Sequence, residues 1–389
     1  MIRRTSRPDA GFSLIEVLIS MGIMLVVLAG TFAAMSNALR AEQAVSSITT
    51  LNNNLRTSMD LFVRDTLQVG QGLPVGRVIG IPNGPGALQI IRPGPAASGG
   101  CAGVTPFAAG PTLSAVTVGP NLGPPINGQC TDVITTFAHD GAFDNVYVTS
   151  IAANGRSLTV YPYGPDRANG TPDDLVLNDV PDANADNIRV GDLLEITKGN
   201  ASVIVAVTAV AGRTITFNPG DPLRFNQFDT GLAMLGTTNQ LKAQAPVDPT
   251  VEAVNGAGVI QVPVAQSRVS RLRMITYFVN TTADPNSPRL MRQIGAGAPV
   301  AVSFELEAFR ITYDLADGVT NPANVRMVAA DLAAGGACGA SACSPNQIRK
   351  ANVVLAIRSA RRSRENGFYH NTPFTQVAMR NLAFVDRYP

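Results

Sequence analysis

The first forty residues differ from the rest of the chain in their pattern of hydrophobic and polar positions. From Val17 to Leu39 there are 23 consecutive residues without a charged side chain, and Arg40 ends this run. At about 1.5 Å per residue the run makes roughly 35 Å of helix, which is long enough to cross the hydrocarbon core of a bilayer. The pattern therefore predicts a transmembrane helix, which we place at residues 12–39.

Beyond this run the apolar positions follow a helical repeat. Gly and Pro residues between positions 70 and 74 are typical of the end of a helix. We therefore expect one continuous helix from about Ser13 to Val69, roughly 85 Å long, in which residues 40–70 form an amphipathic continuation. Its apolar face is predicted from steps of three and four residues and consists of Val45, Ile48, Leu51, Leu55, Met59 and Phe62.

After Pro74 the chain consists of short apolar runs separated by Gly, Pro, Asn and Asp, a pattern typical of strands and turns. The predicted class is α+β, with the long helix packed on an antiparallel β-sheet head that carries an inserted β-rich module. We divide the head into a loop-rich first part (71–142), the inserted module (143–226) and a β-rich second part (227–389). The candidate strands are Leu88–Ile91, Asp132–Phe137, Val146–Ile151, Leu158–Tyr161, Leu193–Thr197, Val203–Val210, Thr214–Phe217, Val259–Val264, Leu272–Val279, Phe309–Tyr313, Val353–Ile357 and Phe374–Phe384.

The segment before the apolar run has the features of a targeting signal. Residues 1–11 contain three arginines and one aspartate, and a short basic segment before an apolar run is typical of such signals. The small residue Gly11 precedes the apolar run instead of following it. Cleavage after Gly11 would therefore remove a leader peptide (1–11) and leave the hydrophobic helix on the mature protein.

One carboxylate, Glu16, lies at the start of the predicted membrane span. An ionised carboxylate in hydrocarbon costs several kcal/mol unless it is neutralised or paired. Glu16 could be hydrated among the lipid headgroups. Alternatively it could meet a cation, and cleavage after Gly11 creates one nearby in the α-amino group of Phe12.

The segment Gly11-Phe12-Ser13-Leu14-Ile15-Glu16, followed by VLISMGIMLVVLAG, resembles the N-terminus of type IV prepilins and of type II secretion pseudopilins. The resemblance implies a pilin fold, cleavage after Gly11 by a prepilin peptidase, and N-methylation of Phe12. It also implies that Glu16 pairs with the N-terminal amine of a neighbouring subunit during assembly. Other minor and major pilins, the peptidase and an inner-membrane assembly platform are the partners that it implies.

The same resemblance implies a location. The protein is expected to cross the inner membrane of a Gram-negative-type bacterium once, with its head in the periplasm, and later to join a pilus at the cell surface.

Several later segments resemble PilW-like minor pilins in particular. These segments are LRTSMDLFVRDTLQVGQG, RLRMITYFV, RLMRQI, VAVSFELEAFRITYDLADG and TQVAMRNLAF. This second resemblance covers about a third of the chain. It implies a minor pilin of a type IV pilus that acts in pilus assembly and initiation or at the filament tip, in adhesion and twitching motility. The alternatives are a J-type pseudopilin of a type II secretion system, and a tip adhesin or DNA-uptake module.

The four cysteines form two pairs that are local in sequence. A periplasmic head would lie in an oxidising compartment, where disulfides form, and four cysteines allow three connectivities. We prefer Cys101 with Cys130 and Cys338 with Cys343, because each bridge would then close a Gly-rich loop.

Composition and motifs give little indication of an enzyme. The formal net charge is only +2, which does not suit a strongly basic nucleic-acid binder. The chain has two His, which leaves little material for His-based metal or acid–base chemistry. The chain has no phosphate-binding G-x-x-x-x-G-K-[ST] motif and no nucleophile placed in a known catalytic motif. We therefore expect a protein that is not an enzyme and that needs no cofactor, and nucleic acid is not an expected partner.

Two charged clusters have an alternative interpretation. The acidic segments GPDRANGTPDD and DANADN are loosely similar to calcium-binding loops, which supply oxygen ligands. Neither segment has the Glu that an EF-hand loop carries at its twelfth position; counted from Asp182, that position is Leu193. The default interpretation is a region of solvated turns. The candidate calcium ligands are Asp166, Asp173, Asp174, Asp182 and Asp186.

The second charged cluster is basic. Its default interpretation is a solvated hairpin, and binding to DNA or a phosphorylated surface is the alternative. Its members are Arg349, Lys350, Arg358, Arg361, Arg362 and Arg364.

Overall fold

The computed structural model describes residues 13–73, 79–80, 90–107, 112–144, 146–152, 154–160, 188–198, 201–226, 267–362 and 367–382. The chain divides into two compact units. The first unit contains Met1–Asn53 and Ser359–Tyr369, and the second contains Asn54–Arg358 and His370–Pro389. The predicted strand Val259–Val264 lies outside the described residues.

A single helix, α1, runs from Leu14 to Leu67 without interruption. It confirms the long N-terminal helix predicted from the sequence, to within two residues at its C-terminal end. Gly70 and Gly72 follow the helix, both with φ of +76°, a left-handed conformation that glycine adopts without steric cost. The backbone N–H of Gly70 donates a 2.9 Å hydrogen bond to the carbonyl of Phe137.

The amphipathic face is shorter than the sequence pattern predicts. Leu51, Leu55, Met59 and Phe62 are buried, as predicted. Leu51 belongs to the first unit and the other three to the second. Val45 and Ile48 are 64% and 39% exposed, so the buried stripe begins at Leu51. The repeat of three and four residues identifies a face of the helix, but it does not fix how far along that face the protein covers it.

Most described strands of the second unit are short, and every strand pair among the described residues is antiparallel. They are interrupted by the four-residue helix α2 (Ala329–Leu332) and a 3₁₀ turn (Pro345–Gln347). The strands are β1 (Ile79–Gly80), β2 (Thr112–Leu113), β3 (Val116–Gly119), β4 (Pro125–Ile126), β5 (Gln129–Cys130), β6 (Val133–His139), β7 (Val146–Ile151), β8 (Ser157–Val160), β9 (Leu193–Lys198), β10 (Ala201–Ala206), β11 (Ala209–Ala211), β12 (Thr214–Thr216), β13 (Arg268–Asn280), β14 (Arg289–Ile294), β15 (Val300–Ser303), β16 (Leu306–Leu315), β17 (Ile348–Arg358), β18 (His370–Asn371) and β19 (Phe374–Ala378).

Strand β13 is the centre of the larger sheet because other strands pair with both of its edges. One edge pairs first with β9, through Arg268–Leu272, and then with β14, through Ile275–Asn280. The other edge pairs with β7 and then with β6. Strands from the 143–226 stretch therefore share a sheet with the rest of the head.

The 143–226 stretch also has a hydrophobic core of its own. Phe143, Leu158, Ile188, Leu194 and Phe217 are all fully buried in one cluster, to which β13 contributes Val269. In a smaller sheet β17 pairs with β16 on one edge and with β18 and β19 on the other. Two separate two-stranded pairs, β1 with β2 and β4 with β5, complete the described strands. The observed class is α+β with a long apolar helix and antiparallel sheets, as predicted, and is consistent with a pilin fold.

Candidate functional site

Of the predicted processing and assembly residues, Glu16 lies in the first turn of α1. Gly11 and Phe12 lie outside the described residues. Ser13 precedes the first helical residue, and its Oγ accepts a 3.3 Å hydrogen bond from the backbone N–H of Glu16. Ser13 and Glu16 thus have the spacing of a capping box. The Glu16 carboxylate is exposed in the first turn, where the helix dipole favours a negative charge.

The first half of α1 is apolar around its whole circumference. Residues 13–35 are all exposed, including Leu14, Leu25, Val26 and Phe32. In the described part of the chain, α1 is the one helix long and apolar enough to cross a membrane. A helix that is hydrophobic on every face is stable only when lipid or other protein covers it.

Two hydroxyl groups within this apolar run are satisfied by the helix itself. The Ser20 hydroxyl donates to the Val17 carbonyl at 2.9 Å, and the Thr31 hydroxyl donates to the Leu28 carbonyl at 2.8 Å. Side chains that bond to a carbonyl one turn earlier need no partner from water. The polar side chains therefore add little to the cost of placing this segment in hydrocarbon.

The other end of α1 is fixed to the sheet by a buried carboxylate. Asp65 is 3% exposed, and its Oδ2 accepts a 2.6 Å hydrogen bond from the Tyr277 hydroxyl and a 2.5 Å hydrogen bond from Arg292 Nε. One helical turn earlier, Phe62 packs edge-on against Tyr277 with ring centroids 4.9 Å apart, and against Phe309 at 6.1 Å. These contacts attach α1 to β13, β14 and β16.

This arrangement alters both partners of Asp65. Burial, followed by the hydrogen bond and the charge of Asp65, raises the pKa of Tyr277 far above its ordinary value. Burial acts to lower the pKa of Arg292, but the hydrogen bond and charge of Asp65 outweigh it and raise that pKa. Both side chains therefore remain protonated hydrogen-bond donors at physiological pH.

A second buried cluster surrounds His139 at the end of β6. Its Nε2 lies 2.6 Å from Glu195 Oε2, and its Nδ1 lies 3.1 Å from Asp144 Oδ1. Glu195 is fully buried, and its second oxygen has no hydrogen-bond partner among the described atoms. The His139 ring packs so closely on Gly72 that a Cβ there would collide with it. The cluster therefore connects the turn after α1 to strand β9.

The two local disulfides are present as predicted. Cys101 and Cys130 are bonded with their Cα atoms 5.7 Å apart, and Cys338 and Cys343 with theirs 5.4 Å apart. The first bridge connects the loop before β2 to strand β5. The second closes a short loop between α2 and the 3₁₀ turn before β17.

The structure places the predicted charged clusters only in part. The five candidate calcium ligands, between positions 166 and 186, lie outside the described residues, so this site stays a prediction. In the basic cluster, Arg358 pairs with Glu305 at 3.3 Å. Arg361 and Arg362 are exposed, and Arg364 lies outside the described residues.

No motif in the sequence marks Asp65, Tyr277, Arg292 or His139 as functional. Asp65 and Arg292 are 227 positions apart in the chain, and His139 and Glu195 are 56 apart. A polar residue in an otherwise apolar helical face was the one available signal. Asp65, between Phe62 and Leu67 near the end of the amphipathic stretch, is such a residue.

Comparison with known proteins identifies the N-terminal region. A family model of the prokaryotic N-terminal methylation motif matches residues 6–32, a range that contains Gly11, Phe12 and Glu16. The chain thus carries the N-terminus of a type IV prepilin or pseudopilin. That class implies, in general terms, interaction with other pilins and with a prepilin peptidase, and together with the apolar helix it fits membrane anchoring. The chain has no match among curated proteins or solved structures.

Proposed function

We propose that this protein is a minor pilin of a type IV pilus, made as a single-pass inner-membrane precursor with a periplasmic head. A prepilin peptidase cleaves it after Gly11 and methylates Phe12. The mature subunit then acts in pilus initiation or at the filament tip. Its work is mechanical and associative, and involves no catalysis.

The observation that carries this proposal is the methylation motif joined to a fully exposed apolar helix. The motif match spans residues 6–32, and the helix continues without a break to Leu67. A helix of this composition is stable in a bilayer, and equally in a bundle of like helices that replaces the lipid. Assembly then consists of exchanging lipid contacts for helix contacts.

Glu16 gives this exchange its specificity. The new α-amino group of Phe12 and the exposed carboxylate of Glu16 are opposite charges at one end of the helix. Leaving the headgroup region is costly for either charge alone, and less costly when a neighbouring subunit supplies the opposite charge. A filament in which successive helices are staggered would provide that pairing.

The size of the head favours a low-copy position over the repeating shaft. More than 300 residues follow Leu67, and a head of this size in every subunit would crowd a helical lattice. The attachment of α1 through Asp65 and Phe62 suits a subunit that transmits force from the helix to the head.

The test is deletion of the gene, scored together for surface pili, twitching motility and exoprotein secretion. We expect few or no pili, loss of twitching and normal secretion, with restoration by the wild-type gene and no restoration by a Gly11→Trp variant that blocks cleavage. Normal pili with defective secretion would overturn the proposal and favour a J-type pseudopilin. Normal piliation with loss of surface attachment or DNA uptake would favour a tip adhesin or a DNA-uptake module.

A further inference from the structure

His139 makes three contacts that join separate parts of the second unit. Its backbone N–H donates a 2.9 Å hydrogen bond to the carbonyl of Gln71, in the turn after α1. Its ring lies 2.6 Å from Glu195 on β9 and 3.1 Å from Asp144, just before β7. Both carboxylates belong to the 143–226 stretch. One histidine therefore connects the turn after α1 to two points of that stretch.

The two ring contacts require two protons. A neutral imidazole has one N–H group and one nitrogen that only accepts, and an ionised carboxylate has no proton to donate. Each contact is a hydrogen bond only when a proton lies in it, on the ring or on the carboxyl group. The arrangement is therefore complete when the three groups together hold two protons, and the loss of one proton leaves one contact without a donor.

The two carboxylates differ in what they can do when a proton is lost. Glu195 is fully buried, and its second oxygen has no hydrogen-bond partner among the described atoms. A buried carboxylate that loses its donor costs several kcal/mol. The side chain of Asp144 is 42% exposed, so this carboxylate can turn toward water. The remaining proton therefore stays between His139 Nε2 and Glu195, and the Asp144 contact opens.

The other charged groups on the elements packed against His139 do not replace the missing proton. These groups are Asp140, Asp192, Arg268, Arg271 and Arg273. Arg271 lies 2.9 Å from Asp140 and 3.7 Å from Asp192, and Arg273 lies 3.0 Å from Asp140. Arg268 is opposite Thr197 in the register of β13 and β9, whereas Glu195 is opposite Ser270. The turn after α1, residues 68–73, has no charged side chain.

We propose that His139 is a proton-operated latch, which holds the start of the 143–226 stretch to the turn after α1 through Asp144. With two protons in the cluster the latch is closed, as in the structure. After the loss of one proton the Asp144 contact opens, while His139 Nε2 stays bonded to Glu195. This inference goes beyond the proposed function and does not depend on it.

The latch opens on the alkaline side of neutrality. Burial acts to lower the pKa of His139, but the hydrogen bonds and charges of the two carboxylates raise it above its ordinary value of 6.5. The closed form is therefore complete below about pH 6.5, and it is lost as the pH rises through the folded-state pKa. Opening removes a side-chain anchor from residues 140–144, the segment that leads into the 143–226 stretch.

The test uses ring-nitrogen NMR of the full-length protein in detergent, labelled with ¹⁵N-histidine. The chain has only two histidines, and His370→Gln assigns their signals. As the pH rises through the transition, we expect Nδ1 of His139 to lose its proton and Nε2 to keep its proton. Asp144→Asn should lower the midpoint by about one pH unit or more, because an opposite charge next to the ring is removed.

The matched control is Glu307→Gln. It removes the carboxylate that lies 2.7 Å from the other histidine, His370. This variant should move the midpoint of His370 and leave that of His139 unchanged.

Opening of the latch is measured by amide hydrogen exchange of residues 140–144, expressed relative to the intrinsic exchange rate at each pH. We expect the protection of this segment to fall by about tenfold through the transition, which corresponds to one pKa unit. Residues 353–357 of β17 should keep their protection. Asp144→Asn should show no such step, because an amide can accept from a protonated Nδ1 and donate to an unprotonated one.

Three outcomes would overturn the inference. If Nδ1 titrates but residues 140–144 lose no more protection than residues 353–357, His139 titrates without acting as a latch. If the His139 ring keeps one protonation state from about pH 6 to about pH 9, the cluster holds no titrating proton. Loss of the proton from Nε2 instead of Nδ1 would mean that the Glu195 contact opens and the Asp144 contact remains.

Discussion

The carboxylate of Asp65 on helix α1 accepts a 2.6 Å hydrogen bond from the hydroxyl of Tyr277, 212 positions later on strand β13. Arg292 Nε donates to the same oxygen. A single buried side chain thus fixes the end of the helix to two neighbouring strands of the sheet. Its neighbours on α1, Phe62 and Met59, contribute apolar burial, whereas Asp65 sets the rotation and register of the helix on the sheet.

Replacing Asp65 with Ala should destabilise the head by about 3–5 kcal/mol, because the buried Tyr277 hydroxyl and the half-buried Arg292 guanidinium would lose their acceptor. Tyr277→Phe should cost less, about 1–2 kcal/mol, since the ion pair remains. The measurement is urea unfolding of the full-length protein in detergent. Asp60→Ala is the matched control, because Asp60 is exposed on the same helix and should change the free energy of unfolding by less than about 0.5 kcal/mol. Equal effects of the two Ala substitutions would contradict the assigned role of Asp65.

His139 should make the stability of the head depend on pH. Burial acts to lower its pKa, but the hydrogen bonds and charges of Glu195 and Asp144 raise the pKa above its ordinary value of 6.5. A raised folded-state pKa means that the contribution of His139 to stability is complete below about pH 6.5. It is lost as the pH rises through the folded-state pKa, by at most about 1.4 kcal/mol per pH unit.

The measurement is the free energy of unfolding as a function of pH for wild type and His139→Gln. We expect the wild type to lose more stability than the variant as the pH rises above 6.5. His370→Gln is the control. His370 also contacts a carboxylate, Glu307, at 2.7 Å, but it is exposed. This variant should therefore keep the wild-type dependence of stability on pH. Parallel curves for wild type and His139→Gln would refute the role of the His139–Glu195 pair.

The two disulfides should differ in what they contribute. The loop-closure model gives about 3–4 kcal/mol for the Cys101–Cys130 bridge, which spans 29 positions, and about 2 kcal/mol for Cys338–Cys343, which spans 5. Peptide mapping without reductant should find these two pairs in the mature protein. Double Ser substitutions of each pair should then rank in that order in urea unfolding. A peptide that links Cys101 to Cys338 would contradict the pairing.

Glu16→Ala should leave cleavage after Gly11 intact and impair incorporation into filaments. Cleavage depends on the small residue Gly11, which the substitution does not change, whereas assembly would bury the Phe12 amine without its partner at a cost of several kcal/mol. Glu16→Gln separates this charge effect from helix capping, because Gln also satisfies a capping box but carries no charge. We expect both variants to fail.

The readout for Glu16 is the amount of processed protein in sheared filaments relative to processed protein in the membrane. Incorporation of Glu16→Gln at the wild-type ratio, with failure of Glu16→Ala alone, would mean that Glu16 acts by capping α1. Wild-type ratios for both variants would mean that Glu16 is only a hydrated headgroup residue.

Elements determined by local pattern could be predicted closely from the sequence. The strand Val146–Ile151 has the predicted bounds, and helix α1 ends two residues before the predicted position, because periodicity and helix-ending glycines are local signals. The predicted strand Val203–Val210 is divided into β10 and β11. Between them, the Thr208 hydroxyl donates to the Thr216 carbonyl at 3.1 Å.

The polar contacts that fix the head could not be predicted, because they join distant parts of the chain. Asp65 meets Arg292 only after β13 and β14 have paired, and His139 meets Glu195 only when β6 and β9 lie beside the same central strand. Nothing in the residues around Glu195 distinguishes it from the neighbouring aspartates that we considered as calcium ligands. The N-terminal motif was recognisable because its function depends on consecutive residues.

The central position of β13 has a consequence for the order of folding. Strand β6 ends more than 120 residues before β13 begins, and β7 and β9 also precede their common partner by long stretches of chain. Pairings this distant form slowly, because a long loop must close before any contact is gained. Until Arg268–Asn280 has been synthesised, the edges of β6, β7 and β9 lack this partner, and unpaired edges of this kind recruit strands from other chains. The nascent head is therefore most prone to aggregation just before β13 emerges.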